Sequence, residues 1–188
     1  QSKYSSLSND FIHIIYVIRH GLYFMSTDKN TSHLTKFGEK QTRSIVPLLL
    51  DDLKQYSDAI VNPIQRYTSI ILRAIETEQV LHRQLVRLTR NDLKFSINAT
   101  QKTYLVETNK VHLIPTKFQD FYFDIITKRI YPQSKSQFSI VICHGNVMVG
   151  FRQIIQNSTK YNFKQSQMVQ IKVQPMDVPH TGIMGMKR

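Results

Sequence analysis

Two widely separated segments constrain this chain more than anything else in it: YVIRHG at 16–21 and IVICHGN at 140–146. In each, a run of mostly β-branched residues stops abruptly at a histidine followed by glycine. Runs of this length and composition are buried strands. The glycine directly after each lets the backbone turn sharply and pass close to a ligand. In an open α/β sheet, ligands bind in the crevice beyond the carboxyl ends of the strands. Two strand-end histidines, His20 and His144, can therefore share one site despite the long stretch of sequence between them.

The remaining patterns fit such a sheet. Residues 11–18 read as the first strand, and the polar stretch 22–32 as a loop over the site. A helix is expected from Thr35, as N-cap, to Leu53, with Ile45, Val46, Leu49 and Leu53 as its apolar stripe. Pro47 falls inside that pattern and is expected to kink or divide it. Residues 59–61 are a short strand candidate stopped by Asn62-Pro63. The best helical periodicity runs over 69–88, through Ile70, Ala74, Thr77, Val80, Leu81, Leu85 and Leu88. A strand around 104–106, a helix within 117–129, a strand at 137–143, a helix at 147–155 and an alternating strand at 168–173 complete the reading. Strands alternating with helices imply an α/β fold. The expected form is a three-layer α/β/α sandwich with a mostly parallel central sheet. Residues 1–10 read as a polar N-terminal arm and 11–188 as one domain without linker or internal repeat.

Bulk composition narrows the function classes. At 188 residues, with 41% hydrophobic and 10% aromatic side chains, the chain is long and apolar enough to bury a core. The longest apolar run, 11–18, already contains His13 and is too short to span a bilayer. A single cysteine, Cys143, excludes an intramolecular disulfide and a cysteine-based zinc site. The 25 Lys and Arg against 13 Asp and Glu give a net charge of +12, which favours anionic partners. These basic residues are scattered and carry no DNA- or RNA-binding signature, so no specific nucleic-acid partner is expected. The seven histidines show no metal-ligand spacing, and no glycine-rich nucleotide loop is present. No cofactor and no metal are expected. The sequence begins at Gln1, which suggests a processed or incomplete chain. A removed targeting peptide ahead of a basic mature domain would fit mitochondrial import.

Four stretches together carry a family likeness: VIRHGLY at 17–23, LTKFGEKQ at 34–41, RAIET at 73–77 and ICHGNV at 142–147. In this order they resemble the histidine phosphatase (phosphoglycerate-mutase-like) superfamily. The nearest likeness is to its mitochondrial serine/threonine-protein phosphatase branch, and HTGIM at 180–184 is similar to that branch's tail.

The resemblance implies roles for particular residues. His20 would be the nucleophile, attacking phosphorus and carrying the phosphoryl group as phosphohistidine. A backbone carbonyl near the tripeptide would hold its other ring nitrogen and select the reactive tautomer. Arg19 and Arg73 would clamp the phosphoryl oxygens, since guanidinium forks match phosphate bidentately. His144 would donate to the same oxygens, and the backbone N–H of Gly145 would add a donor at a helix start. Strand alternation should turn Cys143 away from the site. YLVET at 104–108 is similar to the stretch that supplies the proton donor, which makes Glu107 the candidate, with Asp120 and Asp124 as fallbacks. Thr108 stands where a glycine usually follows that acid. Extra residues around 62–66 precede Arg73; if they tilted its helix, Arg73 would miss the phosphate.

Two functions follow as expectations. One is a phosphatase acting on phosphate monoesters, with phosphoserine or phosphothreonine in proteins as substrate. The chain lacks the length that mutases use to enclose a small sugar-acid phosphate. The other is a phosphatase-like accessory subunit of a larger mitochondrial, respiratory-type membrane assembly, which the +12 charge would suit.

Overall fold

The computed structural model describes residues 12–90, 92–131, 136–156 and 168–173. The arm at 1–10 and the HTGIM stretch lie outside the described residues. Strand β1 (Ile12–Arg19) is apolar at nearly every position because it is covered on both faces. It lies between β4 (Ser136–Cys143), which it pairs in parallel, and β5 (Met168–Val173), which it pairs antiparallel. With β2 (Gln65–Ser69) and β3 (Thr100–Lys102) the sheet order is β3-β2-β4-β1-β5, parallel except for the β5 edge.

Alternation along β1 divides the core in two. Ile12, Ile14, Tyr16 and Ile18 share one cluster with Val46, Leu49 and Leu53 of α1 (Lys36–Lys54) and Ala74, Leu81 and Leu85 of α2 (Leu72–Thr89). Ile15 and Val17 share the other with Phe118 and Phe121 of α3 (Ile114–Phe121) and Val147, Met148 and Phe151 of α4 (Gly145–Gln156). The result is the expected three-layer α/β/α architecture. His13 is buried inside it. Its Nδ1–H donates to the Ile126 carbonyl at 3.1 Å, and its Nε2 accepts from the Ser139 hydroxyl at 2.9 Å. Among the described residues, no helix is long and apolar enough to cross a membrane.

Several elements differ from the expectation. The 59–61 triplet is not a strand: Ser57–Ala59 forms a 3-10 turn, and the Ile60 N–H closes it onto Ser57. The strand there is β2, whose sequence QRYTS hides it. Likewise, 103–105 is a 3-10 turn after the short edge strand β3. The third helix starts at Ile114, with Pro115 in its first turn, and continues as a π-helical turn at Tyr122–Ile126. Pro47 does not divide α1. Pro47 and Arg43 are both exposed, so the carbonyl left without a helical partner lies on the solvent side.

Thr35 caps α1 as expected, accepting the Gly38 N–H at 2.9 Å, and its hydroxyl donates to the Leu22 carbonyl at 3.2 Å. Gln41 accepts the Leu22 N–H at 2.9 Å. The first turns of α1 therefore grip the backbone just after β1. Gly21 and Gly38 meet at this contact: a Cβ on Gly21 would fall 2.5 Å from the Gly38 carbonyl oxygen, and one on Gly38 would collide with that of Leu22. Gly38→Ala, which in an ordinary helix gains up to about 1 kcal/mol, should here destabilise by about 1–3 kcal/mol through overpacking. Urea denaturation gives the sign; a raised midpoint would contradict the close approach.

Candidate active site

The in-register pairing of β1 with β4 places Arg19 opposite Cys143, and the His20 N–H extends the ladder onto the Cys143 carbonyl at 3.0 Å. The two next residues, His20 and His144, therefore emerge side by side, with ring centroids 4.9 Å apart and planes at 60°. Both are buried, at 2% and 0% exposure. His20 Nδ1 lies 2.8 Å from the carbonyl oxygen of Gly21. A carbonyl only accepts, so Nδ1 carries the proton and Nε2 presents its lone pair. Arg73 agrees with this tautomer, because its Nε–H donates to His20 Nε2 at 3.3 Å.

Arg73 is the second residue of α2 and is fully buried. A guanidinium removed from water needs compensating partners. Beyond His20 it has the Glu107 carboxylate at 2.9 Å, His144 Nδ1 at 3.5 Å and the Tyr23 ring 4.3 Å from its central carbon. Since guanidinium only donates, His144 Nδ1 accepts, and Nε2–H donates to the Ser69 hydroxyl at 3.0 Å. The extra residues around 62–66 do not carry Arg73 away. They run into β2, whose last two residues, Thr68 and Ser69, deliver the chain to α2. Arg66 is itself anchored there, to Glu78 at 2.6 Å and to the Ser96 and Ile97 carbonyls at 2.7 and 2.8 Å.

Glu107 lies in an irregular stretch after the 103–105 turn, a third exposed, with its second carboxylate oxygen 3.9 Å from His144 Nδ1. Asp124 is elsewhere, held by the Tyr104 hydroxyl at 2.8 Å and by Lys102 at 2.5 Å. Asp120 is exposed on α3. Of the three carboxyl candidates, only Glu107 reaches the histidines. Arg19 packs over the start of α4, where a Cβ on Gly145 would fall 2.9 Å from the guanidinium carbon. Cys143 is buried in the α3/α4 cluster, as alternation requires, and burial pushes its thiol pKa up. Among the described residues, no group of three or more His, Cys, Asp or Glu is placed to hold a metal ion.

Sequence reasoning missed three residues at the site. Tyr23 sets its ring 5.2 Å from that of His20. Ser69 holds His144. Thr77, one turn after Arg73, accepts the Gly21 N–H at 3.1 Å while donating to the Arg73 carbonyl at 2.7 Å. The signals were the tyrosine at the end of VIRHGLY, the Thr-Ser pair before α2 and the last residue of RAIET.

Burial pushes the His20 pKa down from 6.5 to about 3; the bond to Gly21 opposes this, and the charges of Arg73 and Arg19 reinforce it. His144 is held well below 6.5, first by burial and then by His20 and the same arginines. Burial also lowers His13, to about 4. All three are neutral at pH 7. As pH falls below 6.5, the unfolded chain takes up protons that the folded chain refuses. Stability should therefore be complete above 6.5 and lost progressively toward pH 3. Urea midpoints should already fall between pH 6.5 and 5, above the carboxylate range. A flat profile over that interval would contradict the neutral assignment.

No family model and no curated relative matches the chain. Solved structures match its fold. The protein histidine phosphatase SixA, complexed with tungstate, superposes with a TM-score of 0.58 at 18% identity, over 84% of this chain and 86% of that one. A mycobacterial glucosyl-3-phosphoglycerate phosphatase complexed with VO3 gives 0.58 at 10% identity, over 84% and 91%. Phosphoglycerate mutase from Bacillus anthracis str. Sterne gives 0.58 at 15% identity, over 88% and 89%. The architecture is the phosphoglycerate-mutase-like fold that these phosphatases and mutases share.

Proposed function

We propose that this chain is a histidine phosphatase that hydrolyses phosphate monoesters through phospho-His20. The observation that carries the reading is a buried, neutral His20 with Nδ1 fixed on Gly21 and its Nε2 lone pair aimed at Arg73 beside His144. Two of the similar phosphatases hold oxyanions, tungstate and VO3, which supports an anion between the arginines and His20.

In the proposed mechanism, Arg73 and Arg19 transfer their donors to the phosphoryl oxygens with the Gly145 N–H alongside; His144, whose Nδ1 accepts from Arg73 and whose Nε2–H is bound to Ser69, orients Arg73 instead of donating to those oxygens as expected. His20 Nε2 then bonds to phosphorus as the ester P–O bond breaks. Glu107, as the carboxylic acid, gives its proton to the leaving oxygen. Water next attacks the phosphohistidine and passes a proton to the Glu107 carboxylate, which releases phosphate and restores neutral His20. The substrate we infer is a phosphoserine- or phosphothreonine-bearing protein, and the location the mitochondrion. Both rest on the four motif stretches.

A second reading, an accessory subunit docked on a larger mitochondrial assembly, is favoured by one feature of α2. Arg83 and Arg87 are exposed one turn apart, and no carboxylate occurs anywhere in 79–91. Like charges at this spacing disfavour a helix, and an acidic partner would relieve them.

His20→Ala should abolish hydrolysis of an aryl phosphate. Arg73→Lys, which keeps charge but loses the fork, should cost about 10²–10³ in kcat. Glu107→Gln should slow esters of poor leaving groups far more than esters of acidic phenols. Turnover that survives His20→Ala would overturn the mechanism. A wild-type chain as inert as His20→Ala, purifying in a particle far above 22.0 kDa, would favour the second reading.

A further inference from the structure

Glu107 has no secondary structure to hold it. It lies between the turns Thr103–Leu105 and Val111–Leu113, on a stretch with no ladder and no helix. A proton donor on such a stretch needs anchors, because an error of about 1 Å at a reacting atom costs about 100-fold. The N-terminal anchor is clear. Leu105 is fully buried in the α3/α4 cluster, and the Val106 N–H closes the turn onto the Thr103 carbonyl at 3.1 Å.

The C-terminal anchor is a side chain. Asn146 Nδ2 donates to the Thr108 carbonyl at 2.6 Å, and the Thr108 hydroxyl accepts the Lys110 N–H at 3.1 Å. Asn146 stands in the first turn of α4, directly after the glycine that seats Arg19 and two residues after His144. One helix start thus carries the second histidine, the seat of one arginine and the brace for the carboxylate. We propose that Asn146 is a positioning residue for Glu107, fixing through the Thr108 carbonyl where the carboxyl group stands. This rests on the phosphatase reading above.

The two anchors explain how one carboxylate serves two positions. In this structure Glu107 pairs with Arg73 at 2.9 Å. To protonate a leaving oxygen it must leave that pairing, and with Leu105 and Thr108 both fixed, side-chain rotation suffices. The Asn146 amide acts on the Thr108 carbonyl, on the segment that carries Glu107, so its removal should disturb the protonation step and spare the attack.

The test compares wild type, Asn146→Ala and Asn146→Asp on phenyl phosphate and 2,4-dinitrophenyl phosphate. Asp keeps the shape, cannot donate, and as an acid at a helix start leaves α4 stable. Both variants should lose about tenfold in kcat on phenyl phosphate, with KM unchanged, and stay within about twofold on the dinitrophenyl ester. In a Glu107→Gln background neither should cause a further loss. Hydrogen exchange across 106–110 should rise several-fold in both. Equal losses on the two esters, a full additional loss on top of Glu107→Gln, or unchanged exchange would each overturn the proposal. A wild type inert on both esters would instead overturn the phosphatase reading, and Asn146→Asp behaving as wild type would overturn only the positioning role.

Discussion

The site depends first on the register of β1 against β4. Because both strands are buried on both faces and apolar over most of their length, hydrophobicity alone would tolerate a slip by one residue. The hydrogen bond between His13 and Ser139 does not. Ser139 sits two places beyond Gln137, the residue paired with His13, so the two side chains point to the same face as diagonal neighbours. A slip would leave an imidazole and a hydroxyl unsatisfied in the core, at about 1–3 kcal/mol for each. The observed register carries Arg19 to Cys143 and sets His20 beside His144. A polar pair at the start of the strands thereby fixes the chemistry beyond their ends.

The second level of control is the turn after β1. The tautomer of His20 depends on where the Gly21 carbonyl points, and that peptide is held from two helices. Thr77 of α2 takes the Gly21 N–H, and Gln41 and Thr35 of α1 take the N–H and carbonyl of Leu22. The next loop is tied in the same manner: Glu76 accepts the Leu34 N–H at 2.7 Å and pairs with His33 at 2.6 Å, and Leu34 bridges Tyr23. The stretches LTKFGEKQ and RAIET therefore do more than supply one arginine. Their Thr35, Gly38, Gln41, Glu76 and Thr77 form the mould in which the turn after His20 is cast.

How much of this was legible follows from how each signal is encoded. β1, β4 and β5 could be read because burial or alternation writes itself into apolar patterns, and α1 and α2 because their stripes are long. β2 could not, since its residues are polar for tertiary reasons: Arg66 pairs with Glu78, and Ser69 serves His144. Such partners lie on other elements and leave no local periodicity. β3, at three residues on an edge, is too short to show any period. Pro47 misled because its effect depends on which way the orphaned carbonyl faces, a property of the fold. At the site, Arg19, His20, Arg73, His144 and Gly145 stand where their motifs put them. YLVET pointed to Glu107 ahead of Asp120 and Asp124, but what brings it beside the histidines, the turn at 103–105 and the burial of Leu105, is set by the fold.

The remaining question is how one carboxyl group can be both an ion-pair partner and an acid. Arg73 is fully buried, and its charge is tolerable only beside a counter-charge, which Glu107 supplies at 2.9 Å. On the proposed mechanism a phosphate ester brings its own negative charge to Arg73 and makes that of Glu107 redundant. Glu107 would thus be freed from Arg73 by the arrival of substrate and able to turn toward the leaving oxygen. When phosphate departs, Arg73 recovers the carboxylate as counter-ion. Both histidines are neutral before substrate binds, because burial, more than any neighbouring charge, lowers their pKa. On the proposed mechanism, His20 therefore needs no deprotonation before the substrate arrives.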